Sequence, residues 1–71
     1  MVVGTKQLRK ALTSGRAQRV YLAENADPNL TEPIAELCEQ TGIRYTWVCS
    51  MSRLGQACGI EVGAAAAAII A

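Results

Sequence analysis

Apolar positions change period several times along the chain, and each change marks an element. Leu8, Ala11 and Leu12 recur at i, i+3 and i+4, the spacing of one helix face, so a helix is predicted from Gly4-Thr5 to Gly15. Thr5 is read as its N-cap and Gly15 as the left-handed residue that ends it. Arg19-Val20-Tyr21-Leu22-Ala23 is a short, mostly apolar run and is read as a buried strand. A loop from Glu24 to Asn29 contains the turn-initiating pair Asp27-Pro28. Thr31 is expected to cap a second helix, with Pro33 in its first turn and Leu30, Ile34, Leu37, Cys38 and Thr41 as its apolar stripe; Gly42 ends it.

Ile43 to Cys49 is rich in β-formers and is predicted as a strand. Ser50 or Ser52 caps a short helix through Met51, Leu54 and Cys58, stopped by Gly59. For Ala64 to Ala71 the signals conflict: alanine favours helix, whereas Ile69-Ile70 and the need for a strand partner favour sheet. It is read as a strand, because strand–helix alternation up to that point implies an α/β domain with an open sheet and helices on both faces. Val2-Val3 is a possible edge-strand stub.

Composition narrows the class. The 71 residues form one domain, with Tyr21, Tyr45 and Trp47 as the aromatics, no Phe, and a core that must be aliphatic. Net charge is +1, but its distribution is uneven. Lys6, Arg9, Lys10, Arg16 and Arg19 fall in a stretch without acids, whereas Glu24, Asp27, Glu32, Glu36 and Glu39 fall in one without bases. Folding then gives a basic end and an acidic face, and a basic end attracts a polyanion despite the near-zero sum. The three cysteines show no C-x-x-C spacing and there is no histidine, so neither a zinc site nor histidine-based catalysis is expected. The thiols fit small apolar residues in a reducing cytoplasm. The glycine-containing stretches match neither a P-loop nor a dinucleotide fingerprint. The longest apolar run, Ala64 to Ala71, is well short of the ~20 residues a membrane span needs. A non-enzymatic, cytoplasmic, monomeric domain without cofactor or membrane partner is expected.

Two stretches carry candidate chemistry. On the first helix Lys6, Gln7 and Lys10 share one arc opposite the apolar stripe, with Arg9 beside them. Lys6 lies where the helix dipole disfavours a cation, and Lys10 repeats its charge at i+4, so stability alone does not call for this pattern. Amides, lysines and a glutamine converging at a helix start suit phosphates and base edges. The second stretch, Gly55 to Gly63, combines glycines with Ile60 and Val62, which are read as an exposed recognition surface.

The blocks Gly4-Thr5-Lys6-Gln7-Leu8-Arg9-Lys10-Ala11-Leu12, Ala23-Glu24-Asn25-Ala26-Asp27-Pro28, Leu37-Cys38-Glu39, Gly42-Ile43 and Leu54-Gly55-Gln56-Ala57-Cys58-Gly59 span nearly the whole chain. Together they resemble the ribosomal-protein family that binds RNA kink-turns. That family includes the archaeal large-subunit proteins seven-Ae and thirty-e, and the short bacterial members are the most similar in pattern. The resemblance implies a three-layer α/β/α sandwich with a small mixed sheet of three to four strands. The partner it implies is structured RNA containing a kink-turn, in rRNA, a riboswitch or another non-coding RNA, and not DNA. It assigns Gly4 and Thr5 to close backbone approach, and Lys6, Gln7 and Lys10 to guanine edges and phosphates at tandem sheared G·A pairs. Ile60, Glu61 and Val62 would meet the bulged nucleotides, with Glu24 and Asp27 lining the same side. Archaeal and eukaryotic members commonly carry Asn-Glu where this chain has Lys6-Gln7. A glutamate only accepts hydrogen bonds and a lysine only donates them, so base readout differs and phosphate contacts gain weight.

Overall fold

The structure is a computed structural model that describes residues 2–60 and 63–70. The elements run β1 (Val2–Val3), α1 (Thr5–Thr13), β2 (Ala17–Ala23), α2 (Pro28–Thr41), β3 (Arg44–Val48), α3 (Met51–Ala57) and β4 (Ala66–Ile70). The four strands form one mixed sheet in the order β1-β4-β2-β3. β2 and β3 are parallel and joined across α2, whereas β4 is antiparallel to both β1 and β2.

Side chains alternate across the two central strands and build two cores. Val20 and Leu22 of β2, with Ala66 and Ala68 of β4, meet Leu8, Ala11 and Leu12 of α1 and Ile34 and Cys38 of α2. On the other face Tyr21 and Ala23 of β2 and Ala67 of β4 meet Leu54, Met51 and Cys58 of the α3 region. The result is the expected α/β/α sandwich. β4 is a strand although alanine disfavours one, because it lies between β1 and β2 and is covered on both faces. Ala66, Ala67 and Ala68 are fully buried, and their small side chains let helices approach on either side.

Helix starts depart from the sequence reading. The N-cap of α1 is Gly4, not Thr5, and no side chain caps its amides. Gly4 has φ 102 and ψ 144, a left-handed-side conformation that Thr could not occupy without strain, so Thr5 becomes the first helical residue. α2 begins at Pro28, because the Asp27 carboxylate accepts the Asn29 amide at 2.9 Å and Pro28 supplies a ready-made helical φ. Thr31 is therefore not a cap; it faces the core, only 3% exposed, with Ile34 and Cys38 on the same stripe. That phase turns Leu30 outward, 45% exposed, and places Pro33 inside the helix rather than in its first turn. Asn29, whose carbonyl Pro33 cannot serve, is exposed and open to water.

Helix ends follow the expected residues. Past α1, Gly15 donates to the Leu12 carbonyl and Arg16 to that of Ala11, at 3.2 and 2.9 Å, the paired bonds of a Schellman motif. Glu32, Glu36 and Glu39 are exposed on α2. Tyr45 donates its hydroxyl proton to Glu39 Oε1 at 3.2 Å, which raises its pKa above the ordinary 10.0. Burial, reinforced by Glu39, likewise pushes the Cys38 thiol up and keeps it neutral.

Candidate nucleic-acid interface

One end of the sheet gathers the elements singled out in the sequence. Gly4 donates its amide to the Ala66 carbonyl at 3.1 Å, which sets the start of α1 against the start of β4. On the other flank of β4, the Ala23 amide donates to Ala65 at 2.9 Å, bringing the end of β2 and Glu24 to the same rim. Gly63 and Ala64 lead into the start of β4, and the Ala64 amide donates to the Met51 carbonyl at 3.0 Å, so the start of α3 comes to this rim too. The topology therefore joins residues near positions 4, 24 and 64 that are distant in sequence.

The first turn of α1 is electrostatically exposed. Leu8 makes the first helical bond, to the Gly4 carbonyl at 3.0 Å, so the amides of Thr5, Lys6 and Gln7 have no intrahelical acceptor. Neither a capping side chain nor an acidic residue compensates them. Lys6 and Gln7 are exposed on this turn, and Arg9 and Lys10 farther along the helix, whereas Leu8, Ala11 and Leu12 anchor the helix beneath. Positive dipole end, unpaired amides and cations coincide, an arrangement that attracts an anionic ligand. Lys10 stands on a ridge between two open grooves. One, of about 390 Å³, is lined by Thr5, Lys6, Arg9, Lys10 and Thr13 of α1 and by Asn29, Leu30 and Pro33 of α2. The other includes Gln7, Lys10, Ser14 and Arg16.

The candidate loop is held at both ends by α3. Ser50 caps α3 by accepting from the Arg53 amide at 3.1 Å. Gly59, at φ 77, donates to Gln56, and Ile60 donates to Gly55, each at 3.0 Å, closing α3 in a second Schellman motif. Such a motif brings the residue after the glycine back onto the helix. Ile60 accordingly is not the exposed surface expected; it is half-buried against the Leu54 and Ala64 cluster. The expected contacts Glu61 and Val62 lie outside the described residues.

The remaining candidates separate by role. Glu24 is exposed on the rim, its amide tied to the Val48 carbonyl at 2.8 Å. Asp27 lies nearby, but Oδ1 is committed to capping α2. Asn25 carries an interaction that the sequence reading did not single out: Oδ1 accepts the Met51 amide at 2.7 Å. Its sequence signals were a place in a polar loop before Asp27-Pro28 and membership of one block that carries the family resemblance, neither of which marks this bond. Leu30 and Pro33, read as part of the apolar stripe and as a first-turn residue, instead line the groove beside the α1 cations. Among the described residues no cluster of His, Cys, Asp and Glu could hold a metal ion, and no helix is long and apolar enough to cross a membrane.

Comparison with known proteins gives a consistent picture. The model of the ribosomal protein L7Ae/L30e/S12e/Gadd45 family matches residues 1–71. A Geobacillus sp. (strain WCH70) protein named as RNA-binding is 49% identical over 69 residues, 97% of this chain and 84% of that protein. The RNA-binding protein YbxF of Geobacillus stearothermophilus is 44% identical over 70 residues, 99% of this chain and 85% of YbxF. Among solved structures, the Giardia lamblia 15.5kD RNA binding protein superposes with a TM-score of 0.91 at 30% identity over 97% of this chain. The chain spans 58% of the length of that Giardia protein.

Proposed function

Since the chain belongs to the ribosomal protein L7Ae/L30e/S12e/Gadd45 family, we propose that it is a non-catalytic RNA-binding protein that recognises kink-turns. The uncapped, cation-bearing start of α1, set against the start of β4 by the Gly4–Ala66 hydrogen bond, carries this reading. A kink-turn offers two matching features, a widened groove at sheared G·A pairs and unstacked bulged nucleotides. The α1 start enters the groove: Gly4 and Thr5 let the backbone approach, Gln7 meets a base edge, and Lys6 and Lys10 meet phosphates. The Ile60–Val62 segment covers the bulge, with Glu24 beside it. Recognition of distorted, unstacked RNA is the usual route to sequence-specific RNA binding. Exposed Ile60 and Val62 would also suit a second reading, a protein-interaction module on the same fold, and the partial burial of Ile60 weakens it.

The test compares a kink-turn RNA with a variant whose G·A pairs are replaced by Watson–Crick pairs. Preferential binding of the kink-turn is expected, and equal, weak binding of both would refute the proposal. A ribosomal or riboswitch RNA is the kind of target this reading predicts.

A further inference from the structure

α3 spans seven residues, too few to hold its place by helix propensity, so its position depends on tertiary ties. Two of these meet at Met51, its first residue. The Met51 amide is one that no intrahelical carbonyl can serve, and it donates instead to Asn25 Oδ1 at 2.7 Å, across 26 residues of sequence. The Met51 carbonyl accepts the Ala64 amide at 3.0 Å. Gly63 backs directly onto Met51: a Cβ there would lie 3.0 Å from Met51 Cβ and 3.3 Å from its carbonyl carbon. The circuit closes through the Ala23 amide, which donates to Ala65 at 2.9 Å only two residues before Asn25. One side chain, Asn25, thus joins the β2–α2 loop to the start of α3, and Met51 passes that tie to the segment entering β4.

We infer that Asn25 is a positioning residue: by fixing Met51 it sets where Ile60, Gly63 and Ala64 stand relative to the start of α1. Its consequence for RNA rests on the kink-turn reading above, but its structural half does not. Both ends of the segment depend on α3, through Gly59 and Ile60 at one end and Ala64 at the other. A shift of α3 therefore moves Gly59, Ile60, Gly63 and Ala64, while Lys6 and Lys10 keep their places on α1. Asn25 carries no charge, so its loss leaves the number of phosphate contacts unchanged.

The experiment uses Asn25→Ala and Asn25→Asp in the full chain, with amide hydrogen exchange by NMR and kink-turn RNA titrations over a range of salt. Asn25→Ala is expected to speed exchange at both Met51 and Ala64. It also weakens RNA binding about two- to tenfold, the net worth of one hydrogen bond, with the salt slope unaltered. Aspartate keeps the acceptor and is favoured at a helix start, so Asn25→Asp restores slow exchange at both amides. Its added negative charge costs affinity at low salt, but it approaches wild type at high salt, where Asn25→Ala does not.

Unchanged exchange at Ala64 in Asn25→Ala would overturn the inference, as would wild-type affinity with Met51 exchange accelerated. If Asn25→Asp protects Met51 yet binds as weakly as Asn25→Ala at high salt, the side chain contacts RNA itself and the positioning role is wrong. Should the wild-type protein fail to distinguish the kink-turn from its Watson–Crick variant, the functional proposal falls. Exchange at Met51 and Ala64 still decides the structural half.

Discussion

Replacing Lys10 with alanine isolates the electrostatic part of the interface. Lys10 is exposed on the ridge between the two grooves flanking α1, so its ammonium can reach a phosphate without moving the backbone. Its effect on folding is small. Lys10→Ala removes the like-charge pair with Lys6, worth a few tenths of a kcal/mol, and improves helix propensity. It also removes a cation from the last turn of α1, where the dipole favours one. These terms oppose each other, and the net change should stay within about 0.5 kcal/mol. Binding is different. A lost phosphate contact lowers the slope of log K against log salt by about 0.9. Over a fourfold rise in salt, from about 50 to about 200 mM, the affinity advantage of wild type over the variant should therefore shrink about 3.5-fold. Fluorescence anisotropy with labelled kink-turn RNA at four or five salt concentrations measures both slopes. Arg44→Ala is the control: it removes an equal charge from β3, at the sheet edge away from β1 and β4, and should leave the slope unchanged. Equal slopes for wild type and Lys10→Ala would remove Lys10 from the phosphate contacts. Equal slope losses in both variants would show that net charge, not this ridge, governs binding.

Asp27→Ala deletes the side-chain cap of α2 and should cost about 1 kcal/mol, lowering the melting temperature by about 4–8 °C in a thermal scan. Ala67→Leu overfills the α3 side of β4, where Ala67 is fully buried, and should destabilise by about 1–3 kcal/mol in urea titrations without altering the unfolding slope. The hydrogen bond to Glu39 raises the Tyr45 pKa in the folded state, so the folded chain holds this proton longer than the unfolded one does. That contribution is fully present below the unfolded Tyr pKa and is lost as pH rises through the folded one. Glu39→Gln should move the spectrophotometric titration of Tyr45 back down and flatten the alkaline loss of stability.

The sequence alone determined what rests on local chemistry. Leu8, Ala11 and Leu12 specified the buried face of α1, and with it the outward placing of Lys6, Gln7 and Lys10, because a 3.6-residue period leaves no other arrangement. Gly15, Gly42 and Gly59 marked the helix ends, because they suit the positive φ that the chain needs there. Strand–helix alternation implied the layered architecture.

Tertiary structure decided what local signals left balanced. Asp27 and Thr31 are both good caps, and the choice fell to Asp27 once Pro28 could start the helix and Thr31, Ile34 and Cys38 could share the core-facing stripe. Leu30 was turned outward by that phase. Alanines became a strand only because β4 is flanked by β1 and β2 and pressed from both faces. The ring of Ala23, Asn25, Met51, Ala64 and Ala65 is invisible in one dimension, since no local pattern announces a hydrogen bond across 26 residues. The residues able to meet an anion were legible from their types and spacing. The frame that aims them exists only once the sheet brings three distant loops to one rim.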